Sequence, residues 1–133
     1  MIVVDTNVIA YLMLPGEHTQ AARHLLATDP SWCAPLLWRS ELRNVLALYV
    51  RQRHLTVEEA CELQTASEAL LDGREYAVRS DDVLSLAAES GRSAYDCEFV
   101  ALARSLGVPL VTSDRQLLAS FPETAVPLAR FGT

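Results

Sequence analysis

Short apolar runs alternate with longer amphipathic stretches along the whole of this chain, and that alternation restricts its fold more than any other feature. Ile2–Val4 is a β-branched run, and Trp32–Ala34, Glu75–Val78 and Leu110–Thr112 are further candidate strands. Val126–Ala129 contains Pro127 and can serve only at a sheet edge. Asp5-Thr6-Asn7 reads as a turn or helix start, followed by an apolar segment, Val8–Leu14, that Pro15-Gly16 breaks. Further on, helices are expected over His18–Thr28, Leu37–Arg53, Thr56–Leu71, Asp81–Ser90, Ser93–Leu106 and Asp114–Ser120. Thr56-Val57-Glu58-Glu59 is a capping box, Ser80 is a candidate cap for its helix, and Gly73, Gly91 and Gly107 mark stops. Strand–helix alternation predicts an α/β fold: a central, mostly parallel sheet flanked by helices. Such sheets bind ligands outside the carboxyl ends of their strands.

The chain's 133 residues, half of them hydrophobic, suffice for one core and are expected to form a single domain over residues 1–133. No apolar stretch approaches the roughly 20 residues of a membrane span. The N-terminus also lacks a basic leader, so a cytoplasmic location is expected. Cys33, Cys61 and Cys97 fit neither a disulfide framework nor a zinc site and are expected to be reduced, mostly buried thiols. The net charge of −6 argues against a protein held on nucleic acid by a general positive field. It is compatible with a nuclease whose acids bind divalent cations. All 11 basic residues are arginine.

Four acids stand where surface acids do not belong. Asp5 and Asp114 each follow a short buried strand, at the end where the fold places ligands. Either could instead be a helix N-cap. Glu41 falls on the same side of its helix as Val45, Leu48 and Tyr49, with Arg39 and Arg43 opposite. Asp96 sits among Phe99, Val100, Ala103 and Leu106, while Glu98 falls on the other face with Ala101 and Ser105 and is expected to be solvated. Converging carboxylates need a hard cation to coexist, and oxygen ligands suit Mg²⁺ or Mn²⁺. Such a site supports phosphodiester hydrolysis.

Four segments together resemble the PIN-domain family, and within it the VapC-type toxins of toxin–antitoxin pairs. They are Ile2-Val3-Val4-Asp5-Thr6-Asn7-Val8, Ser40-Glu41-Leu42-Arg43-Asn44-Val45-Leu46, Ala94-Tyr95-Asp96-Cys97-Glu98-Phe99-Val100-Ala101-Leu102-Ala103, and Leu110-Val111-Thr112-Ser113-Asp114. The resemblance runs from Met1 to about Arg130. It implies a PIN-like three-layer fold and a metal-dependent endoribonuclease. Asp5, Glu41, Asp96 and Asp114 would be its catalytic acids and metal ligands. Thr112, Asn7 and Asn44 match supporting positions. It further implies an RNA substrate, a small inhibitory antitoxin and a homodimer. The apolar girth of Leu37–Arg53 agrees with a protein partner.

Two other classes compete. An aspartate-nucleophile phosphatase also begins with an apolar strand and an Asp, but generally needs a second Asp two residues later and a downstream lysine. Here Asn7 occupies that position, and the chain has no lysine. A PIN-like module that binds RNA or protein without cutting has no need of four acids.

Overall fold

The computed structural model describes residues 1–131. The expected domain limit of 133 lies outside them. Five strands form one sheet: β1 (Ile2–Val4), β2 (Trp32–Pro35), β3 (Glu75–Tyr76), β4 (Leu110–Thr112) and β5 (Ala125–Pro127). Seven helices flank it: α1 (Thr6–Met13), α2 (Thr19–Thr28), α3 (Trp38–Arg51), α4 (Val57–Leu70), α5 (Ser80–Ser90), α6 (Ala94–Leu106) and α7 (Arg115–Ser120). A 3₁₀ turn over Leu128–Phe131 follows β5.

The spatial order is β3-β2-β1-β4-β5, and every pairing is parallel. The chain builds outward from β1 to β3, then crosses back to add β4 and β5 on the other side. The order therefore reverses between β1 and β4, where Val4 pairs with Val111. In open parallel sheets such a reversal leaves a crevice at the strands' carboxyl ends. Asp5 and Asp114 follow the two strands that flank it.

β1, β2 and β4 are buried along their whole length, as continuous apolar strands between helical layers should be. Val3, Val4, Trp32, Trp38, Leu42, Phe99 and Leu110 form the centre of the core. Each such side chain contributes roughly 1.5–3 kcal/mol through burial. α6 packs across β1, β2 and β4, which carries its first turn, and Asp96, to the crevice side of the sheet.

The capping box at Thr56 and Glu59 is present, and Gly91 and Gly107 end their helices in the left-handed conformation. Ser80 is not a cap: it is the first residue of α5, preceded by extended Arg79. Pro127 closes β5, which is indeed an edge strand. Cys33 and Cys97 are buried, Cys61 is exposed, and all three are free. No described helix is long and apolar enough to cross a membrane.

Candidate active site

Extended backbone at Asp5 turns β1 into α1, and the Asp5 side chain makes no cap on that helix. Its Oδ2 instead accepts a 2.7 Å hydrogen bond from the Thr112 hydroxyl at the end of β4. Thr112 is fully buried, and its Oγ1 also accepts from the backbone N–H of Asp114 at 3.0 Å. One hydroxyl thus links the two strand ends. Asp114 itself caps α7, its Oδ1 accepting from the backbone N–H groups of Gln116 at 2.8 Å and Leu117 at 3.2 Å.

Glu41 enters from the first turn of α3. That turn is tied to β3 by Glu75, which accepts from Trp38 Nε1 at 2.7 Å and from Arg39 Nε at 2.6 Å. The Arg39 guanidinium holds the Glu75 carboxyl below its usual range. Glu41 Oε1 accepts a 2.7 Å hydrogen bond from Thr6, the buried first residue of α1. Asp96 lies in the first turn of α6, whose cap is the Ser93 hydroxyl, 3.0 Å from the Asp96 backbone nitrogen. Arg92, just before that turn, donates to Gln116 on α7 and so joins the Asp96 and Asp114 elements.

Asp5, Glu41 and Asp96 each feel neighbouring acids. Burial pushes the Asp5 carboxyl above the ordinary range, Thr112 opposes it, and the charges of Asp96 and Asp114 push it further. Burial also raises Glu41, against the pull of Thr6, with Asp5, Asp96 and Glu98 adding to the rise. Asp96 is raised by burial and by Asp114, while Ser93 and Arg92 pull the other way. A partly buried set of mutually repelling carboxylates is the electrostatic condition that a bound cation relieves.

Among the described residues, no three His, Cys, Asp or Glu side chains already stand as a metal-holding group. The four acids share one field without converging on one point. Their donor chemistry still fits a hard cation: every available ligand is an oxygen, and no thiol or imidazole is among them. Cys97 is the nearest soft donor in sequence, but it packs towards Ser90 and the Arg92 carbonyl.

Several details depart from the sequence reading. The buried face of α3 is Trp38, Leu42 and Leu46. The stripe expected beside Glu41 is only partly covered: Val45 and Tyr49 are half-buried and Leu48 is 45% exposed. Arg39 is not a bystander but the partner of Glu75. Glu98 is half-buried, not solvated, because Ala101 on its side of α6 belongs to the core. Asn7 and Asn44 are exposed and make no hydrogen bond to the acids. Thr6 and Arg92 were missed; Thr6 adjoins Asp5, and a buried hydroxyl at a helix start was the available signal.

This crevice, ringed by acids at a reversal in strand order, defines a class as well as a chemistry. The PIN domain family model matches residues 2–123, and the chain belongs to that family. It is 33% identical to ribonuclease VapC3 of Pyrobaculum aerophilum over 95% of this chain and 98% of that protein. Its fold is similar to that of PAE2754 from Pyrobaculum aerophilum, with a TM-score of 0.76 at 23% identity, covering 98% of this chain and 95% of that one. It is also similar to a chain of a toxin–antitoxin complex from Klebsiella pneumoniae, with a TM-score of 0.70 at 17% identity, covering 96% and 98% of the two chains.

Proposed function

We propose that this chain, as one domain over residues 1–133, is a divalent-metal-dependent endoribonuclease and the toxin of a toxin–antitoxin pair. The observation that carries the reading is the shared field of Asp5, Glu41 and Asp96 around the Thr112 link, in a member of the PIN-domain family. The likeness to a protein named as a ribonuclease supports RNA as the substrate. A fold shared with a chain of a toxin–antitoxin complex is consistent with the pairing.

Asp5, Glu41, Asp96 and Asp114 would hold Mg²⁺, or Mn²⁺ in its place. When bound, that cation activates water and offsets negative charge developing on phosphate. The protein's part is positioning. Thr112 orients Asp5 from the facing strand, Thr6 orients Glu41, and Ser93 fixes the helix turn that presents Asp96. Asn44, one turn beyond Glu41 on α3, and Asn7, two residues after Asp5, are available to RNA or to water at the rim. The antitoxin would lay an extended or helical segment in a groove near the acids. A further apolar groove of about 570 Å³ between α3 and α4, lined by Arg43, Leu46, Val50, Val57, Ala60 and Cys61, is also open to a protein partner. A homodimer acting in the cytoplasm completes the proposal.

Single-stranded RNA offered to the purified chain in EDTA, Mg²⁺, Mn²⁺ and Ca²⁺ tests it, with Asp5→Ala as the control. Cleavage is expected in Mg²⁺ and at least equally in Mn²⁺, little in Ca²⁺ with its larger, looser shell, and none in EDTA. Cleavage that persists in EDTA, or that the substitution leaves intact, refutes the metal site.

A further inference from the structure

Glu98 is two residues from Asp96 on α6, so the two side chains leave the helix in different directions. It is half-buried, and its carboxyl makes no hydrogen bond to another described residue. It lines a cleft of about 310 Å³ with Leu36, Tyr76, Val78, Val83 and Leu84. Such a volume lies at the lower end of the range for small-ligand sites, about 300–1,000 Å³. Leu36 directly follows β2 and Tyr76 ends β3. The cleft therefore opens at the carboxyl edge of the sheet, the edge that carries Asp5 and Asp114. Leu36 lies two residues before α3, whose first turn presents Glu41, and Glu98 lies on α6 with Asp96, so the cleft borders the elements that carry the acids. Leu36 and Leu84 are 52% and 63% exposed, an apolar lining left open to solvent.

A cleft whose apolar walls carry one unpartnered carboxyl and the Ser80 hydroxyl suits a flat group with hydrogen-bond donors on its edge. It does not suit a phosphate, which the carboxylate repels. Single-stranded RNA offers such a group: its unstacked bases lie on aromatic and apolar side chains and are read along their Watson–Crick edges. We propose that this cleft receives a guanine of the RNA substrate beside the scissile phosphate, and that Glu98 is the residue that selects it. The proposal rests on the ribonuclease reading above.

The choice of guanine follows from donor counting. A carboxylate only accepts, through two oxygens side by side. Guanine presents two adjacent donors on its Watson–Crick edge, N1–H and the N2 amino group, so both oxygens are satisfied at once. Adenine and cytosine present one amino group next to a bare acceptor nitrogen, which would face a carboxylate oxygen lone pair to lone pair. Uracil offers one N–H between two carbonyls. The ring of Tyr76 and the side chains of Leu36 and Leu84 supply faces for any base, and the Ser80 hydroxyl, which can both donate and accept, fits any edge, so discrimination falls to Glu98.

Two measurements test this together. Cleaved ends from an RNA pool of random sequence are mapped for the native chain and for Glu98→Gln in Mg²⁺. Separately, guanosine, adenosine, cytidine and uridine are titrated into each protein while the Leu36 and Leu84 methyl signals are followed by NMR. The native chain is expected to cut with guanine at one fixed offset. Glu98→Gln is expected to lower the ratio of kcat/KM for guanine-bearing over guanine-free substrates by about tenfold. Guanosine alone should move both methyl signals, and only in the native chain. Cleavage without a guanine preference, or an equal loss on every substrate in Glu98→Gln, overturns the assignment while leaving the ribonuclease reading intact. Selective guanosine binding without any RNA cleavage sustains the cleft and overturns the ribonuclease reading. Absence of both overturns both.

Discussion

β1 and β4 lie side by side, and each ends on an aspartate that starts a helix, yet the two carboxylates are used differently. Asp114 holds two backbone N–H groups of α7 and is therefore a structural cap as well as a member of the acidic ring. Asp5 makes no cap on α1; its hydrogen bond comes from Thr112 across the crevice. Identical local patterns, strand then Asp then helix, thus divide into a group committed partly to the fold and a group committed to the site. The difference lies in what a carboxylate accepts from, which no local pattern states.

The largest effect should come from Asp5. Asp5→Asn keeps a side-chain oxygen for the Thr112 hydroxyl but removes the charge that binds a cation. Cleavage should fall by more than the about 10–100-fold typical of losing a partner that only orients a ligand. Without metal, the melting temperature should hold or rise, since one of several repelling charges has gone. Turnover and thermal melts check this. A marked drop in melting temperature would place Asp5 with the structural acids and erase the contrast with Asp114.

Asp114 should respond in both currencies. Asp114→Ala removes the cap of α7 and should cost about 0.5–2 kcal/mol, whereas Asn caps as well as Asp does and should cost little. Both should impair cleavage. Urea midpoints for the two variants separate cap from site. If Ala and Asn are equally stable, the hydrogen bonds to Gln116 and Leu117 carry no weight and the two strand ends are alike after all.

Much of this was legible beforehand, for identifiable reasons. β1, β2 and β4 announced themselves because strands buried on both faces must be apolar throughout. Asp5 and Asp114 stood out because an acid directly after such a strand can hardly avoid the carboxyl edge. Glu41 and Asp96 were found through helix periodicity, but the same wheel misjudged their surroundings. It treats each helix as facing one neighbour, and α6 packs against β1, β2, β4 and α5 at once. That is why Ala101 is core and Glu98 half-buried. Likewise α3 turns Trp38, Leu42 and Leu46 inward, a face fixed by the Glu75 anchor 37 residues away from Trp38. The links made by Thr6, Thr112 and Arg92 are tertiary. Of these, Thr112 is flagged through family resemblance, Thr6 only by its place beside Asp5 at a helix start, and Arg92 by nothing local.

The smallest effect, and the one that weighs the two aspartates most finely, is the pH dependence of metal-free stability. Asp5, Glu41 and Asp96 have carboxyls raised by burial above ordinary values of 3.8, 4.5 and 3.8. As pH climbs through those values the unfolded chain releases its protons first, so the folded chain holds more. Stability from these groups is then complete below about pH 4 and is lost as pH rises towards the folded-state values. Glu75, held down by Arg39, contributes with the opposite sign: its stability is complete above about 4.5 and is lost as pH falls below that value. The two signs oppose only at the acid end, and the variant differences isolate the raised group. Asp5→Asn removes a raised group outright and should flatten its share of the decline. Asp114→Asn removes only a charge that helps to raise Asp5 and Asp96, and should flatten the decline less. Mg²⁺ should offset the loss at the upper end, because only ionised carboxylates bind it and binding stabilises the folded chain by mass action. Urea midpoints from about pH 4 to pH 8, with and without Mg²⁺, measure all three slopes. A native slope that Asp5→Asn leaves unchanged would mean that Asp5 is not the strained carboxylate, and the asymmetry between the two strand ends would have to be sought elsewhere.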